Sequence, residues 1–101
     1  HIDTDLYEYA VGISEFTRKD PRVLLGASPR ATLSLIQVAK AAAVMEGRDY
    51  ATPDDIRHYA TAVLAHRLVL SDEVDGDANA RVEVIKSALG RVSYRKAIRP
   101  V

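Results

Sequence analysis

Apolar residues recur at helical spacing in four stretches of the chain. Leu6, Tyr9, Ala10, Ile13 and Phe16 predict a first helix from about Thr4 to Lys19. Asp3 or Thr4 can cap it, Arg18 and Lys19 suit its C-terminus, and Asp20-Pro21 stops it. Gly12, at its middle, costs about 1 kcal/mol against alanine and marks a point where another helix can approach closely. The second helix is predicted from about Pro29 to Glu46, ending at Gly47. Its Leu33, Leu35, Ile36, Val38, Ala39, Ala42, Ala43 and Val44 cover most of the circumference, which predicts a central helix surrounded by protein. The third runs from Pro53 to about Ala65 on Ile56, Tyr59, Ala60, Val63 and Leu64, and Thr52 with Asp55 forms a capping-box pattern at its start. A fourth, from about Ala78 to Leu89, carries Val82, Ile85 and Leu89 on one face, with Gly90 expected to end it.

The connections are short. Arg22 to Ala27 reads as a loop whose Val23-Leu24-Leu25 run is too brief to define a strand. That run is either core or a docking face, and exposure would favour docking. Gly47 to Tyr50 reads as a turn whose tyrosine packs on the bundle. His66 to Leu70 reads as an extended or fraying segment, Ser71 to Asn79 as a polar surface loop, and Arg91 to Val101 as a loose basic tail. No internal repeat or low-complexity segment occurs, so residues 1–101 form a single all-α domain, a small four-helix bundle with short extended connections.

Composition narrows the class. Hydrophobic residues at 48% and charged residues at 28% describe a globular chain and exclude disorder. Fourteen basic residues balance fourteen acidic ones, so no global charge draws the chain to nucleic acid or an anionic membrane, although a local patch is compatible with this balance. No apolar run approaches the roughly 18 residues of a membrane span, and no signal-peptide pattern opens the sequence. The absence of cysteine removes disulfides, thiolate metal sites and cysteine nucleophiles, and it suits a cytoplasmic setting. Opening on His1 without a methionine, the chain reads as a fragment or a processed piece.

Catalytic motifs are lacking. There is no GxxxxGK[ST] phosphate loop, no acidic pair after a hydrophobic strand, no HExxH, and no serine in a GxSxG context. His58 and His66 stand eight residues apart, roughly 12 Å along a helix, too far to share one zinc ion. Nothing here supports independent catalysis.

One short motif does carry chemistry. In Gly26-Ala27-Ser28-Pro29-Arg30-Ala31, Ser28 is a favoured N-cap and Pro29 suits the first helical position. Arg30 then falls in the first turn, among backbone N–H groups with no intrahelical partner. That end of a helix favours acids by about 0.3–1 kcal/mol, so a cation there is mildly penalised. Thr52-Pro53-Asp54-Asp55 repeats the cap and proline but follows them with acids. A guanidinium beside free helix-start amides fits an anion, a phosphate above all. The alternative is a solvated arginine at a well-capped helix start. Arg22 is a second basic group for such an anion or an ordinary loop arginine. His66 and Arg67 either contact a ligand or neighbour, or satisfy the last carbonyls of the third helix.

The hexapeptide is followed in order by Ala39-Lys40-Ala41, Gly47-Arg48-Asp49-Tyr50, Thr52-Pro53-Asp54-Asp55-Ile56 and His66-Arg67-Leu68. Together, over about residues 4 to 70, these motifs resemble the C-terminal helical lid of MoxR-type AAA+ ATPases, relatives of the magnesium-chelatase ATPase subunits. The resemblance implies a bundle of the AAA+ lid type that closes over ATP. The nucleotide and its Mg2+ would be held mainly by a preceding α/β core module. It also implies that Arg30 takes the family's sensor-2 role toward the γ-phosphate, with Ser28, Pro29 and Ala31 forming the helix start around it. Arg22, His66 and Arg67 are secondary candidates. The implied partners are the protein's own core, neighbouring subunits of a homo-oligomeric ring, and a von Willebrand A domain protein. Coupling of ATP hydrolysis to chaperone-like remodelling is the implied activity. Two other classes stay open on the residues alone. One is a small helical DNA-binding domain, against which the neutral charge speaks; the other is an interaction module using the Leu24 region.

Overall fold

All four predicted helices form, as Thr4–Lys19 (α1), Pro29–Met45 (α2), Pro53–Leu64 (α3) and Ala80–Arg91 (α4), in a computed structural model that describes residues 4–73 and 76–94. A single 3-10 turn, Ala65–Arg67, extends α3. Two strands join them, Val23–Leu25 (β1) and Val69–Leu70 (β2), paired antiparallel with Val23 opposite Leu70 and Leu25 opposite Val69. The run expected as a loop is therefore half of a small sheet. The Ser71 N–H donates to the Arg22 carbonyl at 2.9 Å, which extends the pairing by one step. This sheet fastens the α1–α2 connection to the segment that follows α3.

Helix ends follow the local chemistry. Ser28 Oγ accepts from the Ala31 N–H at the start of α2, and Gly47 adopts φ +82° just beyond its end, a left-handed conformation that suits glycine. At the start of α3 the full reciprocal capping box of Thr52 and Asp55 is present. Gly90 does not end α4, which continues through it to Arg91. A glycine without positive φ weakens a helix but does not stop one.

The core lies where three of the predicted stripes meet. Leu6, Tyr9, Ala10 and Ile13 of α1 face Leu35, Ile36 and Ala39 of α2 and Ile56, Ala60 and Leu64 of α3, all buried. The α4 face is rotated from its expected position: Val84, Ile85 and Ala88 are buried, whereas Val82 and Leu89 lie at the margin. The small residue at Gly12 does admit a close neighbour, since a Cβ there would stand 3.1 Å from Val92 Cγ1. Val92 and Tyr94, in the stretch expected as a loose tail, pack against the core, and the Tyr94 ring meets Tyr9 edge-on at 5.8 Å. The remainder of that tail, residues 95–101, lies outside the described residues, as do Val74 and Asp75 of the predicted surface loop.

Two further expectations fail. α2 is not enclosed: Leu33, Val38, Val44 and Met45 are exposed, Met45 at 88%. It packs against α3 and α1 on one side and presents its other apolar side outward. Tyr50 is likewise exposed instead of packed on the bundle, with the Arg48 guanidinium 5.9 Å from its ring centre. No helix among the described residues is long and apolar enough to cross a membrane.

Candidate functional site

The Gly26–Ala31 motif bridges β1 and α2, and the cap chemistry fixes its register. Ser28 is extended at φ −80°, ψ 164°, its Oγ accepts from the Ala31 N–H at 3.1 Å and its carbonyl from the Thr32 N–H at 3.0 Å. Pro29 occupies the first helical position, so Arg30 stands second in the first turn, where no acidic residue occurs. Ser28, Pro29 and Arg30 are exposed, whereas Ala31 is fully buried and serves packing. Ser28→Ala is expected to cost about 1 kcal/mol, read as a fall of roughly 4–8 °C in the Tm of the domain by circular dichroism.

Five of the eight arginines among the described residues are occupied. Arg18, Arg22, Arg48, Arg57 and Arg81 each donate a hydrogen bond within the fold. Arg30 donates none to the described residues and projects from an exposed position. Pro29 has no N–H and Ser28 takes those of Ala31 and Thr32, so the fit for a phosphate group lies in a guanidinium without a partner among the described residues, in a turn with no carboxylate. Beside it, Arg18, Leu24, Leu25, Gly26, Ala27 and Ser28 line a cleft of about 360 Å³. Leu24 and Leu25 are 73% and 63% exposed.

The secondary candidates separate. Arg22 stands at the other end of β1 from Gly26 and is bound by Asp20: Nε donates to Oδ1 at 3.0 Å and Nη2 to Oδ2 at 2.7 Å, with Ser87 Oγ accepting at 3.1 Å. The Arg22 hydrogen bonds hold the Asp20 carboxyl below the usual carboxylate range against the opposing effect of burial. This group ties the α1–β1 turn to α4. His66 and Arg67 lie exposed on the 3-10 turn leading into β2. Antiparallel pairing of Leu25 with Val69 sets the entry of β2 beside the exit of β1. The end of the sheet approached by Arg67 is thus the end from which Gly26 departs, and Arg22 lies at the opposite end. Sequence reasoning missed the grip of Thr17 and Arg18 on Ala27, whose N–H and carbonyl they bind at 3.0 and 2.9 Å. Among the described residues no group of three or more His, Asp or Glu side chains is arranged to hold a metal ion.

Fold and site together place this chain among the AAA lid domains: that family matches residues 15–87, and the chain belongs to it. The chain is 40% identical over 100 residues to the uncharacterized protein YeaC of Bacillus subtilis, covering 96% of this chain and 31% of that protein. It is 36% identical over 97 residues to the chaperone MoxR1 of Mycobacterium tuberculosis, covering 87% of this chain and 26% of that protein. A crystal structure of a protein provisionally described as an ATPase, from Cytophaga hutchinsonii, superposes with a TM-score of 0.84 at 30% identity, covering 93% of this chain and 31% of that one. The chain spans less than a third of the length of these relatives.

Proposed function

We propose that this lid belongs to a MoxR-like AAA+ ATPase and closes over ATP bound to a core module, with Arg30 as the sensor of the γ-phosphate. The observation that carries the reading is the exposed guanidinium of Arg30, without a partner among the described residues, in an acid-free first turn of α2. Its charge has no partner among the described residues, so a terminal phosphate presented by the core gains a charge-assisted contact that ADP would lack. Loss of that phosphate on hydrolysis relaxes the lid, and the relaxation is the motion available for chaperone-like remodelling. Mg2+ would be held by the core module, as the resemblance implies.

Exposure of Leu24 and Leu25 supports the docking alternative for that run: these side chains meet the core or the next subunit of a ring when the lid is down. Arg67, at the same end of the sheet as Gly26, is a secondary contact of this closed state, whereas Arg22 holds the lid's own turn. A cytoplasmic site of action suits the absence of cysteine, and a von Willebrand A domain partner follows from the resemblance alone.

In the full-length protein, Arg30→Ala is expected to lower ATP turnover about tenfold, because a preorganised cation acts most strongly where charge develops in the transition state. Steady-state hydrolysis at saturating ATP checks this. Wild-type turnover in the variant would overturn the sensor assignment.

A further inference from the structure

Arg30 lies between two residues that a different helix holds. Ala27, three positions before it, is fully buried, and both of its backbone polar groups are bound by the last turn of α1. Its N–H donates to Thr17 Oγ1 at 3.0 Å, and its carbonyl accepts from Arg18 Nε at 2.9 Å. Thr17 is itself completely buried, and its hydroxyl proton goes to the Ser14 carbonyl at 2.6 Å. Thr32, two positions after Arg30, is buried too, and its Oγ1 lies 2.6 Å from Ser14 Oγ. Because the single Thr32 hydroxyl proton is donated to the Ser28 carbonyl at 3.2 Å, Ser14 is the donor in that pair. The chain of bonds therefore runs from Ser14 through Thr32 to Ser28. A Cβ on Gly26 would stand 2.6–2.8 Å from Arg18, including its backbone N and Cα, so segment and helix are in direct backbone contact.

We infer that the last turns of α1 are the positioning element for Arg30, with Thr17 as the positioning residue that fixes where the arginine is presented. The inference rests on the sensor reading above and adds to it the part that sets the geometry. A capped helix start by itself leaves the approach angle of α2 free. Here the buried hydroxyls on both sides of the arginine remove that freedom, and they do so without touching the ligand. Misplacement by a fraction of an ångström to 1 Å at such a group is enough to lower a rate substantially.

The test uses the full-length ATPase and compares Thr17→Val, which deletes the hydroxyl at nearly constant shape, with Thr17→Ser, which retains it. Val84→Ala, a buried truncation on α4, controls for simple loss of stability. At a temperature where circular dichroism shows every variant folded, Thr17→Val should lower kcat about fivefold, with KM for ATP within about threefold because only the transition-state contact is displaced. Thr17→Ser should recover most of that loss, and Val84→Ala should turn over near the wild-type rate. Adding Thr17→Val to Arg30→Ala should cost nothing further, since the group being positioned is already gone. Should Thr17→Val behave like Val84→Ala, or reduce turnover by the same factor in the Arg30→Ala background, the positioning role is overturned while the sensor reading stands. Wild-type turnover in Arg30→Ala alone would instead remove the sensor reading and this inference with it.

Discussion

Gly26→Ala is expected to destabilise the domain by about 3 kcal/mol, near the upper end of the usual range for overpacking. The new methyl would lie 2.6 Å from Arg18 Cγ, 2.7 Å from Arg18 Cα and 2.8 Å from Arg18 N. The Arg18 Cγ could move aside by a rotamer change; the backbone atoms could not without shifting the end of α1. That shift would lengthen the bonds from Thr17 and Arg18 to Ala27 and leave buried polar groups short of partners. The strain therefore does not stay local. Thermal unfolding should show Tm lowered by roughly 12–24 °C. Gly12→Ala gives a built-in comparison, since its nearest neighbour is a valine methyl at 3.1 Å, which yields more readily than backbone. An equal loss in the two variants would contradict the argument from close backbone contact.

What the sequence made legible follows from how far apart the interacting residues are. The first three helices, the Ser28 and Thr52 caps and the stop at Gly47 depend on residues a turn or less apart and appear where periodicity and cap chemistry put them, whereas α4 forms about two residues later than its pattern placed it. The register of Arg30 was readable for the same reason, because a Ser-Pro start numbers the first turn. The β1–β2 pair was not readable. Strands of three and two residues show no alternation, and their pairing joins segments on either side of α2 and α3. The contact of Arg22 with Ser87 spans 65 positions and carries no local signal. Apolar character all round α2 predicted enclosure, but apolar composition does not say which elements reach a helix, and Leu33, Val44 and Met45 are exposed. On α4 the alanines at 80 and 88 allowed two adjacent faces, and packing chose the one with Val84. Ser14, Thr17 and Thr32 carry no local signal, since a hydroxyl inside a helix acquires meaning only from the neighbour it meets.

Asp55→Ala should be the second most damaging of these substitutions, at about 2–3 kcal/mol, because one buried carboxylate serves both a cap and an ion pair. Its Oδ2 accepts from the Thr52 N–H at 2.7 Å and the Thr52 hydroxyl at 3.1 Å, while Arg48 donates to Oδ2 at 2.8 Å and to Oδ1 at 2.9 Å. Arg48 in turn reaches Glu46 and the Tyr50 carbonyl, so the carboxylate anchors the whole α2–α3 turn. The Arg48 hydrogen bonds, helped by those from Thr52 and opposed by burial, lower the Asp55 pKa from the ordinary 3.8 to about 2. The unfolded chain therefore takes up the proton first as pH falls. Between about pH 4 and pH 2 it binds more protons than the folded domain, so the contribution of Asp55 is complete above that window and disappears through it. Asp20, held low by Arg22, adds a loss of the same sign as pH falls. Tm measured from pH 6 to pH 2 should accordingly fall less steeply below pH 4 in Asp55→Asn than in the wild type, while retaining the share due to Asp20. Superimposable slopes would show that the pair contributes nothing beyond its geometry. Because Asp55 is only 9% exposed, salt should narrow the difference between the two curves less than it would for a pair in open solvent.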